Sequence, residues 1–220
     1  MLETELAGER VGLLPERALL WPREATLFVA DAHFGKDAAF RAHGVPVPAG
    51  ADGETLAVLD TLVARHDVAR IVFLGDFLHA RAARTAATLA ALAAWRTRHG
   101  GLRVLLVRGN HDRHAGDPPP ALAIDAVAEP HRLGPFAACH EPADCDGAYA
   151  LAGHLHPAYV LRGRARQAAR LPCFLLGAHS AVLPAFGRFT GTHPVRPAPG
   201  ERVFVVAGDA VMAVPLSSAA

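Results

Sequence analysis

The stretch LRVLLVRGNHDRH, residues 102–114, joins an apolar run directly to a cluster of side chains that can bind metals. Two earlier stretches have the same form, TLFVAD (26–31) and RIVFLGD (70–76). Continuous apolar runs without alternation are typical of strands that are buried on both faces of a sheet. The sequence therefore predicts three central strands, each followed by polar residues at its carboxyl end.

Helical patterns separate these three runs. Apolar residues recur at helical spacing in DGETLAVLDTLVARH (52–66) and in RTAATLAALAAWRTRHG (84–100). Strands that alternate with helices imply parallel βαβ units, in which ligands bind beyond the carboxyl ends of the strands. The later part of the chain has short apolar runs and turns, which predict mostly antiparallel strands. We expect a mixed α/β fold.

Composition sets the broad class of the protein. The 220 residues are 51% hydrophobic and 20% charged, and no linker-like stretch divides them, so we expect one domain over residues 1–220. The net charge of +1 is too small to indicate a class of binding partner. The three cysteines lack zinc-type spacing, and we find neither a signal peptide nor an apolar run long enough for a membrane span. These features predict a cytoplasmic protein that does not enter a membrane.

Five polar clusters follow apolar runs: DAH (31–33), GD (75–76), GNHD (109–112), His140 and GHLH (153–156). Each cluster alone is more typical of a turn, a cap or a buried histidine than of a metal ligand. Their joint occurrence at strand ends instead predicts a metal site. Residues i and i+2 of an extended segment point to the same side, so Asp31 can face one site with His33, and His154 can do so with His156. Asn110 and His111 are neighbours and should diverge. The predicted ligands are Asp31, His33, Asp76, Asn110, His140, His154 and His156.

Seven ligands exceed what one tetrahedral ion can use, so the sequence predicts a pair of divalent ions. A carboxylate can bridge two cations and an imidazole nitrogen cannot, so one aspartate should lie between them. The absence of thiolate argues against a closed structural zinc site, and mixed nitrogen and oxygen ligands suit Mn²⁺, Fe, Zn²⁺ or Co²⁺.

In this order, the clusters resemble the signature of the calcineurin-like metallophosphoesterases over roughly residues 26–157. The resemblance implies a four-layer αββα sandwich. It also implies that Asp31, His33, Asp76 and His156 hold one metal. Asp76 would be the bridge to a second metal, whose other ligands would be Asn110, His140 and His154.

A narrower resemblance covers about residues 8–208. LLPERALLWP, FRAHGVPVPAG, GDFLHAR, VRGNHDR, AGHLHPA and LPAFGRFTG are similar to motifs of the bacterial ligase-associated DNA-damage-response metallophosphoesterases. That likeness implies manganese-dependent phosphodiesterase and DNA endonuclease activity, with single-stranded or damaged DNA as substrate. It also implies a functional link to a DNA ligase, a helicase and a nuclease. GDFLHAR lacks the Asp-Arg-Gly of protein phosphatases, which argues against a phosphoprotein substrate.

We assign further roles near the phosphate. His111 is the predicted catalytic residue, a general acid or transition-state stabiliser. Asn110, His111 and His79 are predicted to contact substrate, although His79 is as readily explained as a locally bonded residue at a helix start. Asp112 either orients the His111 imidazole or is a turn residue. Lys36 and Arg113 are further candidates for phosphate contact.

An arginine-rich segment, LRGRARQAAR (161–170), has two readings. It is either a patch that contacts the DNA backbone or a solvated charged hairpin. No aromatic residue interrupts it, so the segment itself does not support base stacking.

Charge also bears on the reaction. Two divalent ions about 3.5–4 Å apart can hold a bridging hydroxide. The ions bring four positive charges, Asp31 and Asp76 return two negative charges and the hydroxide returns one, which leaves about one positive charge. A phosphodiester would neutralise this charge, although a monoester would also bind. The sequence therefore predicts a phosphodiesterase. Two alternatives stay open: a small-molecule phosphoesterase for nucleotides or a pyrophosphate-linked substrate, and a scaffold without activity. A scaffold can lose ligands, and here every ligand position is filled.

Overall fold

The computed structural model describes residues 1–163 and 167–216. Over those residues, the first sheet has its strands in sequence order. These strands are β1 (Leu2–Leu6), β2 (Glu9–Leu13), β3 (Ala18–Trp21), β4 (Thr26–Ala30), β5 (Arg70–Leu74), β6 (Arg103–Val107) and β7 (Asp125–Val127).

The three predicted central strands are β4, β5 and β6, and they pair in parallel with β7 following them. The residues of β4 are buried on both faces and those of β5 nearly so, as the continuous apolar runs predicted, whereas β6 has an exposed Arg103 and a half-buried Leu105. The antiparallel strands β1, β2 and β3 extend the sheet beyond β4, and sequence patterns did not predict them.

Four α-helices occur in the described residues. They are α1 (Lys36–Ala42), α2 (Ala51–His66), α3 (Ala86–Arg98) and α4 (Asn110–Ala115). The two long ones match the predicted helices within two residues at each end. Leucines of α2 and the Trp95 ring of α3 are buried against Leu27, Ile71 and Phe73 of the sheet.

The second sheet is formed by the later part of the chain. Its strands are β8 (His131–Leu133), β9 (Phe136–Ala138), β10 (Tyr149–Ala152), β11 (Pro157–Arg162), β12 (Ala168–Leu176), β13 (Ser180–Val182), β14 (His193–Pro194), β15 (Arg202–Ala207) and β16 (Ala210–Ala213). Most pairs are antiparallel, as predicted, but β10 lies parallel to both β9 and β13. This parallel centre directs the carboxyl ends of β9 and β10 to one edge.

The two sheets face each other across a second core. Phe28 and Val72 of the first sheet and Phe136, Phe174 and Phe204 of the second belong to it. The mixed α/β fold with two facing sheets is thus confirmed.

The outer face of the second sheet is covered differently from that of the first. Between Gly116 and Leu216, the described residues form no α-helix. Val195, Val214 and Leu216 pack there instead, against a cluster that includes Cys173 and Val203. The fourth layer of the expected αββα sandwich is therefore strand and coil, because this part of the sequence lacks helical periodicity. No helix in residues 1–163 or 167–216 has both the length and the apolar character needed to cross a membrane.

Candidate metal centre

The ends of five strands bring all seven predicted ligands to one place. Asp76 follows β5 and Asn110 follows β6. The other five follow three further strands: Asp31 and His33 follow β4, His140 follows β9, and His154 and His156 follow β10. The loops are tied to one another. The His33 amide donates to the Asp76 carbonyl at 2.8 Å, and the His154 amide donates to an Asp31 carboxylate oxygen at 3.0 Å.

One group consists of Asp31, His33, Asp76 and His156. Each offers a ligand atom, and these atoms lie within 4.8 Å of one another. His33 Nε2 is 3.7 Å from Asp76 Oδ2 and 3.3 Å from His156 Nε2. His156 Nε2 is in turn 3.6 Å from Asp31 Oδ1. Nitrogen and oxygen donors therefore surround one small space.

The second group consists of Asp76, Asn110, His140 and His154. Asn110 Oδ1 is 2.7 Å from His140 Nε2 and 3.1 Å from His154 Nδ1. His140 Nε2 is 3.5 Å from Asp76 Oδ1. Asp76 thus turns one carboxylate oxygen towards each group.

His140 provides a test of whether these residues fit a cation. Its Nδ1 lies 3.1 Å from the Leu74 carbonyl oxygen, which can only accept, so Nδ1 carries the proton of the neutral ring. The lone pair of Nε2 then faces the Asn110 oxygen at 2.7 Å. Two acceptors at this distance repel unless a positive charge lies between them. The donor set therefore fits a divalent cation.

Left-handed backbone, rather than extended backbone, aims the ligands. Asp31 has φ 53°, His33 49°, Asp76 50°, His154 65° and His156 46°. We expected residues i and i+2 to face the same side because the segments would be extended. That reason is wrong, because these segments are not extended. The chain turns sharply at each strand end, and His154 faces the Asn110 group whereas His156 faces Asp31.

Two glycines allow the ligands to lie against neighbouring backbone. A Cβ at Gly75 would lie 2.0 Å from His140 Nδ1, and one at Gly109 would lie 2.4 Å from Asp76 Oδ1. Gly75 also has φ 77°, which side chains disfavour. Any larger residue at either position would displace a predicted ligand.

The electrostatics of the centre suit metal binding. Burial, with help from Lys36 and the neighbouring histidines, holds the pKa of His33 far below its ordinary value. A neutral imidazole is the form that binds metals. Burial also raises the pKa of the Asp76 carboxyl, against the attraction of His140. A nearby cation would stabilise the ionised form of that carboxyl.

His111 and His79 lie together at the open side of the centre. His111 Nε2 is 3.9 Å from Asp76 Oδ2, and its Nδ1 contacts the His79 carbonyl oxygen. The two rings stack at 4.8 Å, and His79 Nδ1 is 3.3 Å from His33 Nδ1. Burial, with Lys36 and His111 adding to it, lowers the pKa of His79 to about 4, so this ring is neutral at pH 7. As expected, Asn110 and His111 point in different directions.

Asp112 does not touch the His111 ring in the structure. Its Oδ1 accepts from the amides of Phe77 and Leu78 at 3.0 and 3.2 Å, and its Oδ2 accepts from the Gly109 amide at 2.9 Å. Burial raises the pKa of this carboxyl to about 6, although the three amides oppose the rise. Of the two readings of Asp112, the contacts therefore favour the one in which it holds the turn.

Sequence reasoning missed Glu129, which lies behind His140. Its Oε2 accepts from the His140 amide at 2.7 Å and from the Glu141 amide at 3.0 Å. Its Oε1 accepts from Arg113 at 3.2 Å, so Arg113 has a carboxylate partner. No motif spans residues 129 to 140, so the sequence carried no signal for this contact.

The arginine-rich segment is described in part. Arg162 ends β11 and Arg170 lies in β12, and these strands pair as an antiparallel hairpin with Arg162 opposite Ala168. Arg164 and Arg166 lie outside the described residues. The predicted contact between this segment and DNA stays a prediction.

The fold and this arrangement of ligands define a class of protein. The sequence pattern of the calcineurin-like phosphoesterases matches residues 25–161, and the chain belongs to that family. It is a metal-dependent phosphoesterase, as the resemblance implied. No protein with curated annotation matches the chain significantly.

Among solved structures, the chain is similar to the nuclease MPE of Pseudomonas putida. The two share 46% sequence identity over 97% of this chain and 99% of the nuclease, with a TM-score of 0.85. Two more distant structures also match. The protein AQ665 of Aquifex aeolicus, of unknown function, has 17% identity over 59% of this chain and 77% of its own, with a TM-score of 0.40. The phosphoesterase Yfce of E. coli has 13% identity over 84% of this chain and 95% of its own, with a TM-score of 0.42.

Proposed function

We propose that this chain is a manganese-dependent phosphodiesterase that cleaves DNA as an endonuclease in repair. The observation that carries the proposal is the convergence of seven ligand side chains in two groups that share Asp76. The similarity to a nuclease over nearly the whole chain supports a nucleic acid as substrate. In this proposal single-stranded or damaged DNA is cleaved beside a ligase, a helicase and a nuclease of the same repair system.

In this proposal Asp31, His33, Asp76 and His156 hold one divalent ion, and Asp76, Asn110, His140 and His154 hold the other. When bound, such a pair lowers the pKa of a water and neutralises charge on the phosphate. Mn²⁺ suits the mixed donors, and Fe, Zn²⁺ and Co²⁺ are alternatives. Two buried carboxylates leave the centre cationic, which favours an anionic phosphodiester.

The remaining roles belong to residues at the open side. His111 is the general acid, which donates a proton to the leaving oxygen or stabilises charge on the phosphate in the transition state. Its Nδ1 contact with the His79 carbonyl oxygen orients the ring so that Nε2 faces the site. Asn110 and His79 contact the same phosphate from either side of His111.

The test is a panel of substrates assayed with Mn²⁺ and with a chelator. We expect hydrolysis of bis-(p-nitrophenyl) phosphate and nicking of single-stranded DNA with Mn²⁺, and neither reaction with the chelator. Hydrolysis confined to p-nitrophenyl phosphate, or to nucleotides and pyrophosphates, would contradict the proposal and support the small-molecule alternative. A folded protein that binds no divalent ion at millimolar Mn²⁺ would support the scaffold alternative.

A further inference from the structure

A row of four rings leads from the candidate metal centre to the protein surface. His111 stacks on His79 at 4.8 Å with an interplanar angle of 22°, and His79 stacks on Phe40 at 5.9 Å and 21°. Phe40 meets Phe189 edge to face at 5.7 Å and 88°. We call these four residues the aromatic row. Its inner end touches the predicted ligand His33, and its outer end is Phe189.

The outer end of the row is accessible and firmly held. Phe189 is 38% exposed, and Phe40 is partly exposed. The backbone just before Phe189 is fixed to the metal centre, since the Phe186 amide donates to the Ala30 carbonyl at 2.8 Å and the Gly187 amide donates to the Asp31 carbonyl at 3.2 Å. The backbone that leads to the exposed ring is therefore tied to the loop that carries Asp31.

A cation accompanies the row. Lys36 lies one helical turn before Phe40 on α1, and residues at this spacing share a helix face. Lys36 lines one small cavity together with His33 and Phe189, so it lies between the candidate metal centre and the outer end of the row. An apolar ring and an ammonium group side by side match the two parts of a nucleotide, its base and its phosphate.

We propose that the exposed ring of Phe189, supported by the Phe40 ring at about a right angle to it, forms a stacking platform for one unpaired nucleobase next to the phosphate that is cleaved. The inference rests on the proposed function and specifies its substrate. A base inside a duplex is covered on both faces by its neighbours, so only a base in single-stranded or locally opened DNA reaches the platform. Lys36 contacts a phosphate on the same side.

The test combines Phe189→Ala with removal of single bases from the substrate. A single-stranded oligonucleotide with one cleavage site is prepared intact and as a series with one abasic residue at each position around that site. With the wild-type protein, one position should respond, and its abasic form should lose about tenfold in kcat/KM. Phe189→Ala should lose a similar factor on the intact oligonucleotide and less than threefold on that abasic form.

Two further variants complete the design. Phe189→Tyr keeps an aromatic face and should restore most of the lost activity. Met212→Ala removes another exposed apolar side chain, 46% exposed on β16, and should leave cleavage unchanged. Thermal unfolding of each variant shows that it is folded.

The outcomes separate the platform from the proposed function. If Phe189→Ala loses the same factor on the intact and on every abasic oligonucleotide, the residue acts only on the fold and the platform is wrong. If the variant cleaves the intact oligonucleotide as well as the wild type does, the platform is wrong and the nuclease function stands. If the wild-type protein cleaves no DNA, both proposals fail together.

Discussion

At the scale of single residues, Asp76 and His111 are neighbours with different tasks. Asp76 directs its two carboxylate oxygens towards the two groups of ligands, at 3.7 Å from His33 and 3.5 Å from His140. His111 lies beyond that carboxylate, on the open side, and its side chain is about one-third exposed. Substitutions at these two positions should therefore separate metal binding from turnover.

We predict that His111→Ala lowers kcat by about 10²- to 10⁴-fold, the range typical of a lost general acid. Both ions should still bind, because His111 belongs to neither group of predicted ligands. Steady-state kinetics and metal analysis of the same preparation check the two statements. His114→Ala, on the exposed side of α4, is the matched control and should retain activity. Loss of metal from His111→Ala would contradict this division of roles.

Asp76→Ala should behave differently, because it removes one donor oxygen from each group. We predict that both ions are lost or bound far more weakly, together with activity. Metal content measured after gel filtration in Mn²⁺ checks this. A variant that keeps one ion at full occupancy would show that Asp76 is not shared.

The sequence predicted which polar residues lie together at the strand ends, but it did not predict the backbone geometry that brings them together. Residue types at strand ends were enough to predict that Asp31, Asp76 and Asn110 lie near one another, because parallel strands bring their carboxyl ends to one edge. Left-handed torsions at five positions were not predictable, since non-glycine residues rarely adopt them. The role of Glu129 could not be predicted, because its contact with the His140 amide depends on tertiary packing alone.

At the scale of elements, the long helices followed from periodicity and the short ones did not. α1 and α4 have seven and six residues, too few for a clear apolar face. Side-chain contacts hold them instead. Asp52 accepts from the Gly35 amide at 2.7 Å before α1, and Asp112 accepts from the Gly109 amide at 2.9 Å before α4.

Asp112 gives the element-scale prediction. Removing its carboxylate in Asp112→Ala leaves three buried amides without a partner, and each such loss costs about 1–3 kcal/mol. We expect the free energy of unfolding to fall by about 3 kcal/mol or more, measured by urea denaturation in chelator. Asp117→Ala breaks only the surface pair with Arg108 and should cost less than about 1 kcal/mol. Equal effects in the two variants would contradict a structural role for Asp112.

At the scale of the whole molecule, the two sheets share one core. Val11 and Val72, from the first part of the chain, are buried in the same cluster as Phe174 and Phe204, from the last part. We propose that residues 1–220 form a single domain for this reason. The two tryptophans report on different places, because Trp21 lies in the core between the sheets and Trp95 in the core beneath the helices.

We predict that both tryptophans follow one unfolding transition. Two variants are made, Trp95→Phe, which retains only Trp21, and Trp21→Phe, which retains only Trp95. In each variant, the urea midpoint measured by tryptophan fluorescence should equal the midpoint measured by circular dichroism. Two separate midpoints within one variant would indicate two units that unfold independently.

Metal binding should also be visible in global stability. Ions that bind only the folded chain stabilise it, by about 2.7 kcal/mol for each site at 100 times its Kd. We expect Mn²⁺ to raise the melting temperature and a chelator to lower it, measured by differential scanning fluorimetry. Asp76→Ala should respond little to either. A wild-type melting temperature that ignores both additions would argue against metal sites in the folded protein.

The left-handed torsions at the strand ends have a consequence for how the candidate centre would accept different metal ions. Five of the seven predicted ligands have left-handed φ angles at the ends of well-packed strands, and each such conformation costs roughly 1–3 kcal/mol. Because packing in the folded protein holds these torsions, we expect the loops that carry the predicted ligands to keep their conformation when a cation binds. Swapping one transition metal for another should therefore alter reactivity while the surrounding scaffold keeps its shape.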